Sequence, residues 1–222
     1  KSRWINYNLS DEQVEKILDY SKNKTHSKSK VDNIMLHGDD KKLSNEIISR
    51  MRENYKYIDT LFTNVSFDAD IFYRSNVFSS MRDWTLKTIE YYLNSLNKKR
   101  ALIVRIHPAE IITDKGKSKD PILPLLLNKY GNNNENIVFI DAKDKVSSYS
   151  LAEKSDTCLV YGSKIILELA LFKKKLISCG SNLLSGLGLA HEFQSLDEYY
   201  YLLNNLEKLN NISEDKYDEI LK

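Results

Sequence analysis

From residue 57 onward the apolar positions gather into strand-length runs at 58–63, 101–106, 137–140, 157–161 and 176–179. The runs are continuous rather than alternating, the pattern of a strand whose sheet is covered on both faces. Between them stand helix-length stretches at 79–96, 121–130, 147–154 and 164–172. Strand and helix therefore alternate, which predicts βαβ units and a right-handed, doubly wound parallel sheet of the α/β class. Beyond the last strand, 196–209 sets Tyr199, Tyr200, Leu202, Leu203 and Leu206 at helical spacing, and a final helix is predicted over 213–221. The first 56 residues differ in character: they are polar, with helical patches at 10–20 and 43–52 and a loop over 21–40. Ser10 followed by Asp11, Glu12 and Gln13 is a helix start, a hydroxyl cap followed by acids at the positive end of the dipole. The expected division is a helical arm over 1–56, too polar to fold alone, and a Rossmann-like domain over 57–222.

Composition narrows the classes. The chain has 222 residues, of which 41% are hydrophobic, enough for a core of ordinary size. Lys and Arg number 33 against 31 Asp and Glu, for a net charge of +2. No basic stripe stands apart from acidic neighbours, so no nucleic-acid partner is expected. The basic stretch 22–30 reads as a solvated loop, with a phosphate patch as the lesser alternative. Cys158 and Cys179 fall inside strand runs and read as small buried hydrophobes, consistent with a reducing cytoplasm. His26, His37, His107 and His191 have no partner at ligand spacing, so no metal is expected. No run approaches the ~20 apolar residues of a membrane helix, and no signal peptide is recognised. The chain starts at Lys1 rather than Met, which leaves open that it is part of a longer protein.

In an open parallel sheet a ligand sits beyond the carboxyl ends of the strands. The segments to examine are 63–68, 105–110, 141–145, 162–164 and 180–182, most of them polar. The fourth is the most informative. Gly162 lets the backbone turn closely, Ser163 can cap the next helix or donate to an anion, and Lys164 adds charge. Free N–H groups of the first helical turn suit a phosphate; an unliganded Ser-capped turn has the same sequence. Glu168 lies in an otherwise apolar helix, where it either pairs with Lys164 one turn earlier or accepts from ribose hydroxyls. His107 precedes Pro108, which stops the strand and fixes the imidazole at the sheet edge. It can donate to a phosphate, serve in acid–base work, or bond a loop carbonyl as a structural histidine. Glu110 can orient it or cap the next segment.

Arg105-Ile106-His107-Pro108-Ala109-Glu110, Ser147-Ser148-Tyr149 with Asp156, Val160-Tyr161-Gly162-Ser163 with Glu168, and Gly186-Leu187-Gly188 follow in that order. This set resembles the C-terminal half of bacterial capsule polysaccharide biosynthesis proteins, GT-B-type glycosyltransferases related to Kdo transferases. Leu61-Phe62-Thr63-Asn64-Val65 with Asp68, and the early Arg3-Trp4, look like the same family. The resemblance implies a donor-binding domain for a nucleotide sugar, with CMP-Kdo the first candidate. Carried over by position, His107, Gly162 and Ser163 contact phosphate, Glu168 lies near the ribose or sugar, and Gly186 and Gly188 form a close-approach loop. Asn64, Arg105, Glu110 and Lys164 complete the expected donor and phosphate set. Three departures stand out: Lys164 where the family has a small residue or Thr, Ile166 where it has Gly, and Lys173-Lys174-Lys175 where it has Gly-Lys-Pro. A GT-B enzyme has a second Rossmann-like domain that supplies the acceptor site and usually the catalytic base, so no base is named here. The acceptor implied is a polysaccharide or glycolipid, and the location the cytoplasm, with peripheral association at the inner membrane face left open. No metal or cofactor is required, since helix N-termini and His107 can stabilise a leaving phosphate. The alternatives are a non-catalytic nucleotide-binding or scaffolding module of the same fold, and a hydrolysing sugar-nucleotide epimerase.

Overall fold

A computed structural model describes residues 9–25, 40–65, 75–95, 97–111, 120–182 and 184–220. The strands are β1 (Tyr57–Phe62), β2 (Arg100–Arg105), β3 (Ile137–Ile140), β4 (Thr157–Tyr161) and β5 (Leu176–Cys179). They form one sheet in the order β3-β2-β1-β4-β5, with every pairing parallel. The register sets Tyr57 beside Arg100 and Phe62 beside Arg105 on one side of β1, and Asp59 beside Thr157 on the other. The predicted α/β class and parallel sheet are what the chain forms.

The helices are α1 (Asp11–Thr25), α2 (Lys41–Arg52), α3 (Met81–Asn94), α4 (Ile122–Tyr130), α5 (Ser148–Lys154), α6 (Ile165–Leu171), α7 (Leu196–Asn204) and α8 (Glu214–Ile220). A short 3-10 turn spans Pro108–Glu110. Strand residues alternate between two cores, which explains the continuous apolar runs. Leu61, Leu102, Val104, Leu159, Tyr161 and Ile177 pack with Trp84, Ile89 and Tyr92 of α3, with Ile122 and Leu126 of α4, and with Tyr199 and Leu203 of α7. On the opposite face Phe62, Cys158 and Val160 meet Ile165, Ile166 and Leu169 of α6. Beside them Ile58, Ala101, Ile103 and Ile140 meet Leu151 of α5 and Ile48 and Met51 of α2. The connections β1-α3-β2-α4-β3 thus cover one face, and the chain then crosses to the other face through α5 and α6.

Local chemistry fixes the helix ends. Ser80, Ser147 and Ser195 each accept a hydrogen bond from a backbone N–H three residues on, capping α3, α5 and α7. Asp40 caps α2 by accepting from the Leu43 N–H at 2.8 Å. At the end of α6, Lys173 N–H donates to the Ala170 carbonyl and Lys174 N–H to the Leu169 carbonyl. This is a Schellman closure, and it holds Lys173 in the left-handed region at φ 53°.

Some boundaries differ from expectation. α1 continues five residues into the predicted loop, to Thr25, because 21–25 contains no Pro or Gly and its lysines are fair helix formers. α7 ends at Asn204 rather than 209, where two consecutive asparagines are poor helix formers; Leu206 still packs in the core. The polar arm also contributes to the core, since Ile48 and Met51 are buried against the sheet. Arg3, Trp4, Asp68, His26, His37 and most of the basic stretch lie outside the described residues. Among the described residues no helix is long and apolar enough to cross a membrane.

Candidate functional site

Because β1 leads outward through β2 and β3 and the chain then returns to place β4 on the other side of β1, the topological switch point lies between β1 and β4. Where two connections leave adjacent strand ends in opposite directions, a crevice opens at their carboxyl edge. This is a Rossmann-like α/β domain.

Several of the expected residues meet at that edge. Asn64, just past β1, is buried; its Nδ2 donates to the Tyr161 carbonyl at the end of β4 (3.5 Å), and its Oδ1 accepts from the Val65 N–H (2.8 Å). Gly162 follows β4 at φ 48°, a left-handed turn that a Cβ would strain, and its N–H donates to the Cys179 carbonyl at 2.7 Å. Ser163 is half-buried and its Oγ accepts from the Ile165 N–H at 3.4 Å, while Lys164 is exposed and leads into α6. One strand away, His107 donates its backbone N–H to Thr63 Oγ1 at 2.9 Å. Its Nδ1 accepts from the Ala109 N–H at 3.1 Å, so the neutral ring carries its proton on Nε2. The imidazole is thus oriented by the 3-10 turn that it precedes.

Other expected residues have internal partners. Arg105 is 1% exposed. Its Nε donates to Ser148 Oγ (3.3 Å), Nη1 to the Asp141 carbonyl, and Nη2 to the carbonyls of Asp144 (3.1 Å) and Val146 (3.3 Å). Burial lowers its pKa to about 10. The guanidinium thus holds the loop from β3 to α5. Glu110 is 2% exposed; its Oε2 accepts from the Ile122 N–H at 3.2 Å, so of its two expected roles it takes the cap, on α4. Burial raises its carboxyl pKa. Glu168 is 9% exposed and accepts from Tyr149 Oη at 2.9 Å, a contact from α5 to α6. Gly186 and Gly188 both have left-handed φ, 77° and 74°. Gly186 donates its N–H to the Glu192 carboxylate, whereas a Cβ at Gly188 would meet Lys216 of α8 at 3.4 Å.

No protein-family model matches the chain, and no curated protein matches it. Among solved structures, the fold is similar to the β-Kdo 2,4-transferase of Thermosulfurimonas dismutans KpsC, at 12% identity over 98% of this chain and 57% of that one, with a TM-score of 0.49. The wall teichoic acid polymerase TagF gives 13% identity over 96% of this chain and 45% of that one, with a TM-score of 0.45. S. aureus MnaA, solved with UDP, gives 18% identity over 78% and 42%, with a TM-score of 0.44. The chain spans about half the length of these solved chains. At these identities the likeness is one of fold.

The domain's edge also has a feature that the sequence did not disclose. Beside the end of β5 lies a small polar cavity of about 110 Å³, lined by Ser75, Ser178, Gly180, Ser181 and Glu192 among others. Ser178 Oγ is buried there without a hydrogen-bond partner. Gly180 and Ser181 belong to the segment already singled out after the fifth strand; Ser75, some hundred residues earlier in the chain, is the part that no local pattern indicated.

Proposed function

We propose that this chain is the donor-binding half of a GT-B-type glycosyltransferase, holding the nucleotide part of an activated sugar at the carboxyl edge of its sheet. The reading rests on one observation: Asn64, His107, Gly162 and Ser163, named from the sequence, gather around the switch point of the sheet. In this reading Gly162 lets the chain pass close to the phosphates, and Ser163 Oγ and the His107 Nε2–H donate to their oxygens. Lys164 supplies a neighbouring positive charge. Donors fixed in place before the leaving phosphate develops charge are the form in which hydrogen bonds accelerate group transfer. The acceptor, a surface polysaccharide or glycolipid, and the catalytic base come from a second Rossmann-like domain. CMP-Kdo is the donor to test first.

One observation favours a second reading. Arg105 and Glu168, two expected donor ligands, are engaged within the fold, as suits a module that binds a nucleotide without turning it over.

The test is a thermal-shift panel with CMP, CDP, UDP, GDP and ADP on this chain and on His107→Ala and Ser163→Ala. A ligand at a hundred times its Kd adds about 2.7 kcal/mol to stability. Stabilisation by one nucleotide, weakened in both variants, is expected. Equal stabilisation in both variants, or none by any nucleotide, overturns the assignment. Turnover of the cognate sugar nucleotide by the protein containing both domains separates the first reading from the second.

A further inference from the structure

At the opposite, amino edge of the sheet lies a second cavity, of about 330 Å³. Tyr57 and Arg100, the first residues of β1 and β2, line it together with Asp156 just before β4 and Lys173, Lys174 and Lys175 just before β5. Its charges are unevenly compensated. Asp156 is already satisfied: its Oδ2 accepts from the Ile58 N–H at 2.6 Å and lies 2.8 Å from Arg52 Nη2. Lys173 pairs with Glu214 at 2.6 Å. Lys174 and Lys175 have no carboxylate partner among the described residues. Each donates one N–H to a backbone carbonyl, Lys174 to Glu153 and Lys175 to Leu206, both at 2.7 Å. A carbonyl fixes an ammonium without neutralising it, and each ammonium keeps two further donors. Glu207, the other acid of the lining, is exposed and also acts on Lys56.

Arg100 adds a buried guanidinium, itself ion-paired with Asp59. It is 5% exposed, lies 4.6 Å from the Tyr57 ring, and its Nη1 stands 3.3 Å from Asp59 Oδ2 without forming a hydrogen bond. Burial and the nearby Arg100 charge disfavour the Lys175 ammonium more than Asp59, Asp156 and Glu207 favour it, so its pKa is lowered, a cost that a bound anion would relieve. Two ammonium groups with several donors each match a phosphoryl group, which carries close to two charges and three acceptor oxygens, better than a single carboxylate. We propose that Lys174 and Lys175, beside Arg100, form a phosphoryl-binding site at the amino edge of the sheet, separate from the carboxyl-edge nucleotide site.

The phosphoryl group is that of a free phosphate monoester or of the monoester headgroup of phosphatidic acid, and two arms distinguish them. In the first, inorganic phosphate is titrated into the full chain at constant ionic strength, by calorimetry and thermal shift, with Lys174→Gln, Lys175→Gln, the double variant and Lys42→Gln. Binding at this site should weaken about tenfold for each lysine removed, the loss of one charge-assisted hydrogen bond, and be unaffected by Lys42→Gln, which removes an exposed lysine outside the cavity. Lys174→Arg, which keeps the charge, should retain it. The melting temperature of each variant without phosphate reports its folding, and Lys174, whose side chain reaches solvent, carries the test if Lys175→Gln is unstable. In the second arm, co-sedimentation with phosphatidic acid vesicles, against phosphatidylcholine, is measured for the same variants. Lysine-dependent vesicle binding identifies the headgroup as the source; phosphate binding without vesicle binding identifies a soluble ester. Absence of phosphate binding, or phosphate binding indifferent to both lysines, overturns the proposal. Equal weakening by Lys42→Gln, which would mark a general charge effect, does so too.

Discussion

Asp59 is completely buried in β1, where it accepts from Tyr92 Oη at 2.8 Å and faces Arg100. Burial raises its carboxyl pKa from 3.8 to about 6, against the pull of Arg100 and Tyr92. The native chain therefore holds this proton more tightly than the unfolded chain does. The resulting stabilisation is complete below about 3.8 and is lost as pH rises through about 6. Over that window it amounts to roughly 3 kcal/mol. Urea unfolding at several pH values, with Asp59→Asn subtracted, should show the wild-type advantage declining across this range; a difference that is flat with pH counts against it. Lys173 supports a second test at the same scale. Its φ of 53° is costly for a residue with a Cβ, so Lys173→Gly should raise stability by about 1 kcal/mol. A lower urea midpoint in that variant would show that the side chain offsets more than the strain.

At the scale of elements, the loop from β3 to α5 is organised by one side chain from β2. Arg105→Ala removes four hydrogen bonds and leaves the carbonyls of Asp144 and Val146 to find other partners, that of Asp141 still accepting from the Asp144 N–H. A loss of about 3 kcal/mol is expected, with faster amide exchange over 141–147 and slower change in β4. Unaltered exchange there would show that the loop holds its own shape. The same arginine marks where sequence reading stops. The strands were legible because each face of the sheet is covered, so the strand runs need no polar alternation. The places of Gly162, Ser163 and His107 just past strand ends were legible because Gly-Ser or His-Pro after an apolar run marks where a strand stops. The partners of Arg105 lie 36 to 43 residues away and that of Glu168 lies 19 away. They meet through the stacking of α5 and α6 on the sheet, which no local spacing encodes. The amino-edge cavity escaped for the same reason, being assembled from segments that precede different strands.

For the molecule as a whole, Cys158 and Cys179 provide a readout of opening. Both are buried free thiols with pKa values raised to about 12 by burial, so neither presents a thiolate near neutral pH. Cys158 is in β4, which pairs with β1, and Cys179 ends β5. Thiol labelling of the native chain should therefore be slow and should accelerate with denaturant in step with global unfolding. Fast labelling of Cys179 alone would mean that β5 detaches separately. The strand order has a further consequence during synthesis. As the ribosome extends the chain, β1, β2 and β3 can pair side by side in the order in which they emerge. The other flank of β1 must wait for residues 157–161. Until then the strand that becomes the centre of the sheet has an open edge, with Leu61 and Phe62 near it. The nascent chain is most prone to mispair in that interval, and slowing translation between β3 and β4 would lengthen it.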